Sequence, residues 1–311
     1  MKLTRREVLA GAAGAAFAWR IPLDFEGPSK PLRIAAITDL HHGFAPDAMT
    51  RLTAFGKAVE SRQNLDLVMQ MGDFCYSDLA ARECSRYFNG LPHDKIHVLG
   101  NHDMDKVDKT LAVKFFGMPH RYYSKVVNGW RIVVLDLNNF KKEGKMFHYA
   151  DGNYFTSNAT LNMADPEQLA WLDQELRTSK EPVILITHQP LGFEETNSPL
   201  PSEQVEVLDV VTKAKKDNPK GAVQICMFGH LHVDRLEHYQ GIPCLCLNSA
   251  SYFWSEGMLP YSSPLFAFLE FNKGVLKIEG RQGEFLKQPP KSSDQVIGRS
   301  ASILGRKIEI S

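Results

Sequence analysis

The chain has 311 residues, of which 43% are hydrophobic and 23% charged, the balance of an ordinary globular protein able to bury a full core. Its 36 basic and 36 acidic residues cancel, and no basic stripe stands out, which argues against nucleic acid as an obligate partner because phosphate-backbone binding draws on clustered Lys and Arg. Five scattered cysteines with no CxxC pair exclude a disulfide framework and read as small buried hydrophobes.

In chain order, "MKLTRREVLAGAAGAAFAWR" opens with a basic segment, continues through an apolar stretch and ends in Ala16-Phe17-Ala18. This is the pattern of a signal peptide over residues 1–18, too short for a stable membrane span. Thr4-Arg5-Arg6-Glu7 resembles a twin-arginine export signal, so the expected destination is periplasmic or extracellular, with a general secretory signal or an uncleaved anchor as the alternatives. Residues 19–31 lack any period and read as a linker.

From Leu32 onward, short apolar runs alternate with helical periods. The runs are "RIAAIT", "LDLVMQMG", "KIHVLG", "RIVVLDL", "PVILIT", "VQICMFG" and "IPCLCLN", and they read as strands buried on both faces. Between them, Met49, Leu52, Phe55 and Val59 recur at helical steps after Pro46. A second helix is expected from Asp165 as N-cap and Pro166 at the first position. Such alternation predicts a layered α/β domain over residues 32–283. Residues 264–280 read as two strands about a turn near Asn272-Lys273-Gly274, and the polar, Pro-rich stretch 284–311 as a loosely packed tail.

The chemistry lies just after the strands. "RIAAIT" is followed by Asp39, His41 and His42; "LVMQM" by Gly72-Asp73; "KIHVL" by Gly100-Asn101-His102-Asp103; "PVILIT" by His188; and "VQICMF" by Gly229-His230-Leu231-His232. In an open α/β sheet, residues beyond the carboxyl ends of neighbouring strands converge on one site. Taken singly, each has a plain structural explanation, such as a turn Asp or a rim His. Jointly, clustered carboxylates and imidazoles call for cations to hold them together.

In that order, D-x-H, G-D, G-N-H-D, H and G-H-x-H resemble the calcineurin-like metallophosphoesterase superfamily, over residues 33 to about 250. The resemblance implies a β-sandwich of two mixed sheets flanked by helices, with a dinuclear metal site at the strand ends. It further implies Asp39, His41 and His232 on one metal, Asn101, His188 and His230 on the second, and Asp73 between them. Imidazole and carboxylate donors suit Fe, Mn or Zn better than Ca. The implied reaction is metal-dependent phosphoester hydrolysis, by in-line attack of a hydroxide shared between the metals, with His102 assisting the leaving group. The implied partner is a small phosphorylated substrate, and the sequence leaves the oligomeric state open.

One residue departs from the pattern. Where many members read G-D-x-x-D, this chain has "GDFCY" and places Tyr76, a spacing shared with purple acid phosphatases. Tyr76 stands as an extra ligand, a hydrogen-bonding partner or a packed ring. The group orienting His102 is then open, with Asp103 and Asp78 as candidates. His42 is a candidate for substrate phosphate or a surface residue, and the aromatics of "SASYFW" for pocket wall or core. Cys75, beside Asp73, is a candidate redox-sensitive thiol. A phosphodiesterase is the leading function. A purple-acid-type monoesterase is the alternative, and a non-catalytic phospholigand-binding module is the alternative of another class.

Overall fold

A computed structural model describes residues 27–192 and 202–310. The expected export signal lies outside these residues, as does most of the expected linker. No helix among the described residues is long and apolar enough to cross a membrane.

Two six-stranded mixed sheets carry the structure. The first contains β1 (Leu32–Ile37), β2 (Leu67–Gln70) and β3 (Asp94–His97), parallel to one another. The second contains β4 (Tyr123–Val127), β5 (Trp130–Val134), β6 (Val183–Ile186), β7 (Val223–Phe228), β8 (Arg235–Tyr239) and β9 (Ile242–Cys246). Within it β5, β6, β7 and β9 run parallel. The chain then returns to the first sheet with β10 (Ala267–Asn272), β11 (Val275–Glu279) and β12 (Arg306–Glu309). The spatial orders are β12-β11-β10-β1-β2-β3 and β8-β9-β7-β6-β5-β4. The fold is the expected β-sandwich of two mixed sheets flanked by helices.

Strand periodicity explains the layers. Leu32, Ile34 and Ala36 of β1 share one buried cluster with Ile132 and Val134 of β5 and with Ile184 and Ile186 of β6. Ala35 and Ile37, on the opposite face of the same strand, belong to a second cluster with Leu52, Phe55 and Val59. Those three lie on α1 (Ala48–Glu60). The ring of Trp130 meets Phe271 of β10 at 5.6 Å between centroids, tying one sheet to the other. α2 (Arg82–Gly90) and α3 (Lys109–Phe116) add Cys84, Phe88, Ala112 and Phe116 to the second cluster. α4 (Pro166–Thr178) begins as expected, the Asp165 carboxylate accepting from the Gln168 N–H at 2.9 Å, and it packs beside α5 (Ser202–Asp217). The expected hairpin forms as β10 and β11, turning through Lys273 and Gly274, both with positive φ.

The C-terminal stretch differs from the loose tail its composition suggests. β12 pairs along β11, and Ile303, Ile308 and Ile310 are buried. Few apolar residues suffice because an ion pair anchors the segment. The buried Asp234 carboxylate accepts from Arg306 at 2.7 and 2.8 Å and from the Leu304 N–H at 2.7 Å. Removing one partner of such a pair strands the other, so Asp234→Ala is expected to lower the unfolding free energy by about 3 kcal/mol. Urea denaturation checks this; an undiminished midpoint would show that the pair does not hold the strand.

Candidate metal centre

β1, β2 and β3 of one sheet and β6 and β7 of the other deliver their carboxyl ends to a single place. Asp39, His41 and His232 bring one ligand atom each within 4.8 Å of one another. Asp73, His188 and His230 form a second set under the same criterion. Six of the seven expected ligands are therefore assembled as two adjoining triads.

The backbone is bent to achieve this. Asp39, His41, Asp73, His230 and His232 all adopt positive φ, between 49° and 65°. For residues with a Cβ this left-handed conformation costs on the order of 1 kcal/mol or more each. The glycines that precede three of the blocks serve mainly as space. A Cβ on Gly100 would lie 2.1 Å from the Asp73 nitrogen, and one on Gly229 would lie 2.4 Å from Asp39 Oδ2. At Gly72 both demands coincide, since its φ is +99° and a Cβ would strike the His188 ring at 2.4 Å.

Each carboxylate turns one oxygen toward the imidazoles. Asp39 Oδ2 accepts from the Thr38 hydroxyl at 2.6 Å, and the His230 N–H is shared between both Asp39 oxygens at 3.2 Å each. Its Oδ1 lies 3.2 Å from His232 Nε2, 3.8 Å from His41 Nε2 and 4.0 Å from His188 Nε2. Asp73 Oδ1 accepts from the His102 N–H at 2.8 Å. Asp73 Oδ2 stands 3.1 Å from His188 Nε2 and 3.8 Å from His41 Nε2, and so faces one imidazole of each triad.

The protonation pattern follows from burial and these contacts. Burial alone would raise the Asp39 carboxyl, but His232 and His188 overcome it and bring its pKa to about 2. Asp73 is likewise held well below the usual carboxylate range, burial being outweighed by His188 and His102. Burial lowers His41 to about 3 and, with His188 beside it, His230 to about 4, so both are neutral near pH 7. His188 is opposed by burial but raised to about 9 by Asp73 and Asp39. The two carboxylates thus demand positive charge from their surroundings.

The donor set fits a metal on three counts. His188 Nδ1 lies 3.0 Å from the Met71 carbonyl, which fixes its proton there and aims Nε2 inward. That Nε2 is sealed from solvent without a hydrogen bond, although Asp73 Oδ2 is close. His41 Nε2 and His232 Nε2 are 3.1 Å apart, and two lone pairs cannot face each other unless a proton or a cation lies with them. Imidazole mixed with carboxylate is a transition-metal donor set. Asn101, the seventh expected ligand, is buried at the end of β3. Its Oδ1 accepts from Gln189 Nε2 at 3.0 Å, and that Gln also donates to Asn138 at 3.0 Å. One lone pair of the Asn101 oxygen remains.

His102 borders the centre, its ring 5.3 Å from His41 and its side chain 30% exposed. The sequence offered Asp103 and Asp78 as its orienting group, and the structure corrects both. Asp103 points the other way and accepts the N–H groups of Phe74, Cys75 and Gly100 at 2.8, 3.1 and 2.7 Å, sewing two loops together. Asp78 caps a short helical turn through Ala80 and Ala81. The orienting group is Asp105, whose Oδ2 sits 2.7 Å from His102 Nδ1. Its other oxygen accepts from the Tyr154 hydroxyl. Burial opposes a charged His102, yet Asp73 and Asp105 raise its pKa to about 9. Asp105 is one helical turn past the histidine, an i, i+3 placement visible in "HDMD". Tyr154 has no local sequence signal.

Tyr76 makes no hydrogen bond to the triads. Its ring carries Lys106 at 4.1 Å and fills the space above Gly43. Together with His41, His42, Asp73, Cys75 and His102 it lines a small cleft under Phe44. His42 is half-buried there, its ring outside both triads. Cys75 is buried, and burial raises its thiol well above the ordinary range, against the reactive state. The three aromatics of "SASYFW" divide. Tyr252 walls the site, 5.0 Å from the His41 ring and 4.8 Å from that of His232. Phe253 joins the sandwich core, and Trp254 is exposed.

The sequence profile described as "Calcineurin-like phosphoesterase" matches residues 32–234. A probable cyclic nucleotide phosphodiesterase of Synechococcus is 26% identical over 222 residues, covering 67% of this chain and 76% of that protein. A probable cyclic nucleotide phosphodiesterase of Psychrobacter is 26% identical over 204 residues, covering 62% of this chain and 52% of that protein. Among solved structures, the purple acid phosphatase PPD1 of yellow lupin (Lupinus luteus) superposes with a TM-score of 0.56 at 16% identity. That match covers 92% of this chain and 55% of the lupin protein, so the chain spans about half the length of two of these three relatives. The chain belongs to the calcineurin-like phosphoesterase family, hydrolases acting on phosphoester bonds.

Proposed function

We propose that the protein hydrolyses phosphodiesters, with His102 protonating the departing oxygen and Asp105 positioning His102. The carrying observation is the His102–Asp105 pair beside the two triads: Nδ1 is held at 2.7 Å, which leaves Nε2 to serve a reacting oxygen in the cleft that His102 lines. Asp39, His41 and His232 would hold one metal, and Asp73, His188, His230 and Asn101 the other, with Fe, Mn or Zn as the fitting ions. Bound there, the metals supply Lewis acidity and water activation.

The chain's own residues do the positioning. Thr38 fixes one oxygen of Asp39, the His230 N–H spans both, and the His102 N–H fixes one oxygen of Asp73. Gln189 holds the Asn101 amide, and Tyr154 braces the Asp105 carboxylate. Tyr252 closes one wall against His41 and His232 and keeps water from that side. The diester reading is supported by the description of the two curated relatives. It is supported too by Tyr76, the ground for a monoesterase, whose ring packs against Lys106 and makes no hydrogen bond to the triads. A binding module without catalysis would have no use for an oriented acid beside a complete donor set.

Asp73→Asn is expected to reduce bound metal from two ions per chain and to abolish turnover, as read by metal analysis of the purified protein. Two ions retained at full occupancy would contradict the assignment. His102→Ala is expected to keep both ions while losing about 10²- to 10⁴-fold in kcat, most on esters with poor leaving groups. Asp105→Asn should show the same leaving-group dependence with a smaller loss; metal lost from either variant would make His102 part of the donor set. With Mn²⁺, bis(p-nitrophenyl) phosphate should outrun p-nitrophenyl phosphate, and the reverse order would favour a monoesterase.

A further inference from the structure

Three exposed aromatic rings stand around the mouth of the metal centre. Phe44 is 42% exposed, Trp254 55% and Phe155 73%, and they come from three separate segments of the chain. Phe44 lies 6.2 Å from the His102 ring and 6.3 Å from that of His41. Phe155 lies 6.3 Å from His102 and rests on Tyr154 at 4.4 Å. Trp254 extends the row, 6.4 Å from Phe44 and 6.3 Å from Tyr252.

Single exposed aromatics are ordinary. Several gathered at the rim of one reactive cleft are a recognition surface, because each ring left in water forgoes the stabilisation that burial supplies. The cleft has a second property. His41, His42, Asp73, Cys75, Tyr76 and His102 line it beneath Phe44, and none of them is a Lys or Arg. Lys106, close by, is spent on the Tyr76 ring and on Asp78 at 3.5 Å. A substrate bearing further phosphates or carboxylates would meet no Lys or Arg among the described residues lining this cleft. A planar, weakly polar group would meet ring faces.

The role of His102 fixes which part of the substrate these rings meet. An oxygen protonated by His102 must lie against its ring, so the group carried on that oxygen continues past His102. The exposed rings beside His102 are Phe44 and Phe155, at 6.2 and 6.3 Å. We infer that Phe44 and Phe155 form a stacking subsite for the leaving alcohol, which carries a planar aromatic group such as a nucleobase or an aryl ring. Trp254 prolongs the platform for a larger substituent. The subsite rests on the reading of His102 as the proton donor.

The test uses two methyl phosphodiesters, methyl phenyl phosphate and methyl 2,2,2-trifluoroethyl phosphate, with the Mn²⁺-loaded protein. For each form of the protein, kcat/KM on the phenyl ester is divided by kcat/KM on the alkyl ester. Dividing the variant's ratio by the wild-type ratio cancels the intrinsic reactivity of the leaving groups. Both rings are exposed, so Phe44→Ala/Phe155→Ala should fold, and Phe155→Leu serves as the milder second variant. The double variant is expected to lower the aryl-to-alkyl ratio by about tenfold, the size of a base–aromatic stacking contact. Phe155→Trp alone, which keeps a ring at that position, should hold the ratio at or above the wild-type value. An unchanged ratio in the double variant overturns the subsite while leaving the hydrolase standing. Turnover of neither ester by the wild-type protein, with both metals bound, overturns the phosphodiesterase reading itself and the subsite with it.

Discussion

Two carboxylates are buried against imidazole nitrogens, Asp39 against His41, His188 and His232 and Asp73 against His41 and His188, and much of the local structure serves to make that tolerable. A buried carboxylate without a partner is among the costliest features a fold can carry. Here burial pushes both groups toward protonation, and the histidines push harder the other way. The outcome is a pair of anions with one oxygen each left facing inward. Five of the six triad residues sit in left-handed backbone, a strain that the free energy of binding a metal there would offset.

The sandwich makes this convergence mechanically simple. β1 and β2 pair in parallel in one sheet, and β6 and β7 in the other, so four carboxyl ends open on the same edge. Hydrogen bonds then bridge the sheets at that edge: His188 Nδ1 reaches the Met71 carbonyl, and the His230 N–H reaches Asp39. Each is a contact between sequence positions more than 100 residues apart. The site is therefore as rigid as the packing of Trp130 against Phe271 and the buried apolar cluster between the sheets allows. The exposed aromatics at the mouth lie outside this rigid frame, where specificity can vary without disturbing the ligands.

The strands and the donor residues were legible in the sequence because strand ends are written locally. An apolar run followed by Gly and a metal-capable residue needs no knowledge of distant partners. α4 was legible for the same reason, through Asp165 and Pro166 at its start. α2 was not: its buried face consists of Cys84, Ser85 and Phe88, too small an apolar stripe to show a period. The order of the C-terminal stretch is not legible in its polar composition, because its ion pair is with Asp234, some 70 positions earlier. The orienter of His102 was sought at Asp103, the adjacent carboxylate, but adjacent residues on a helical turn point apart, and Asp105 three positions on shares the histidine's face. Tyr154 and Tyr252 reach the site only through tertiary folding, and no local pattern marks them.

The most direct measurement is anomalous X-ray diffraction from crystals of the Mn²⁺-loaded protein. The account predicts two separate peaks, one among Asp39, His41 and His232 and one among Asp73, His188 and His230. A single peak, or peaks away from these side chains, would contradict the claim that the buried carboxylates and imidazoles exist to hold a pair of metal ions.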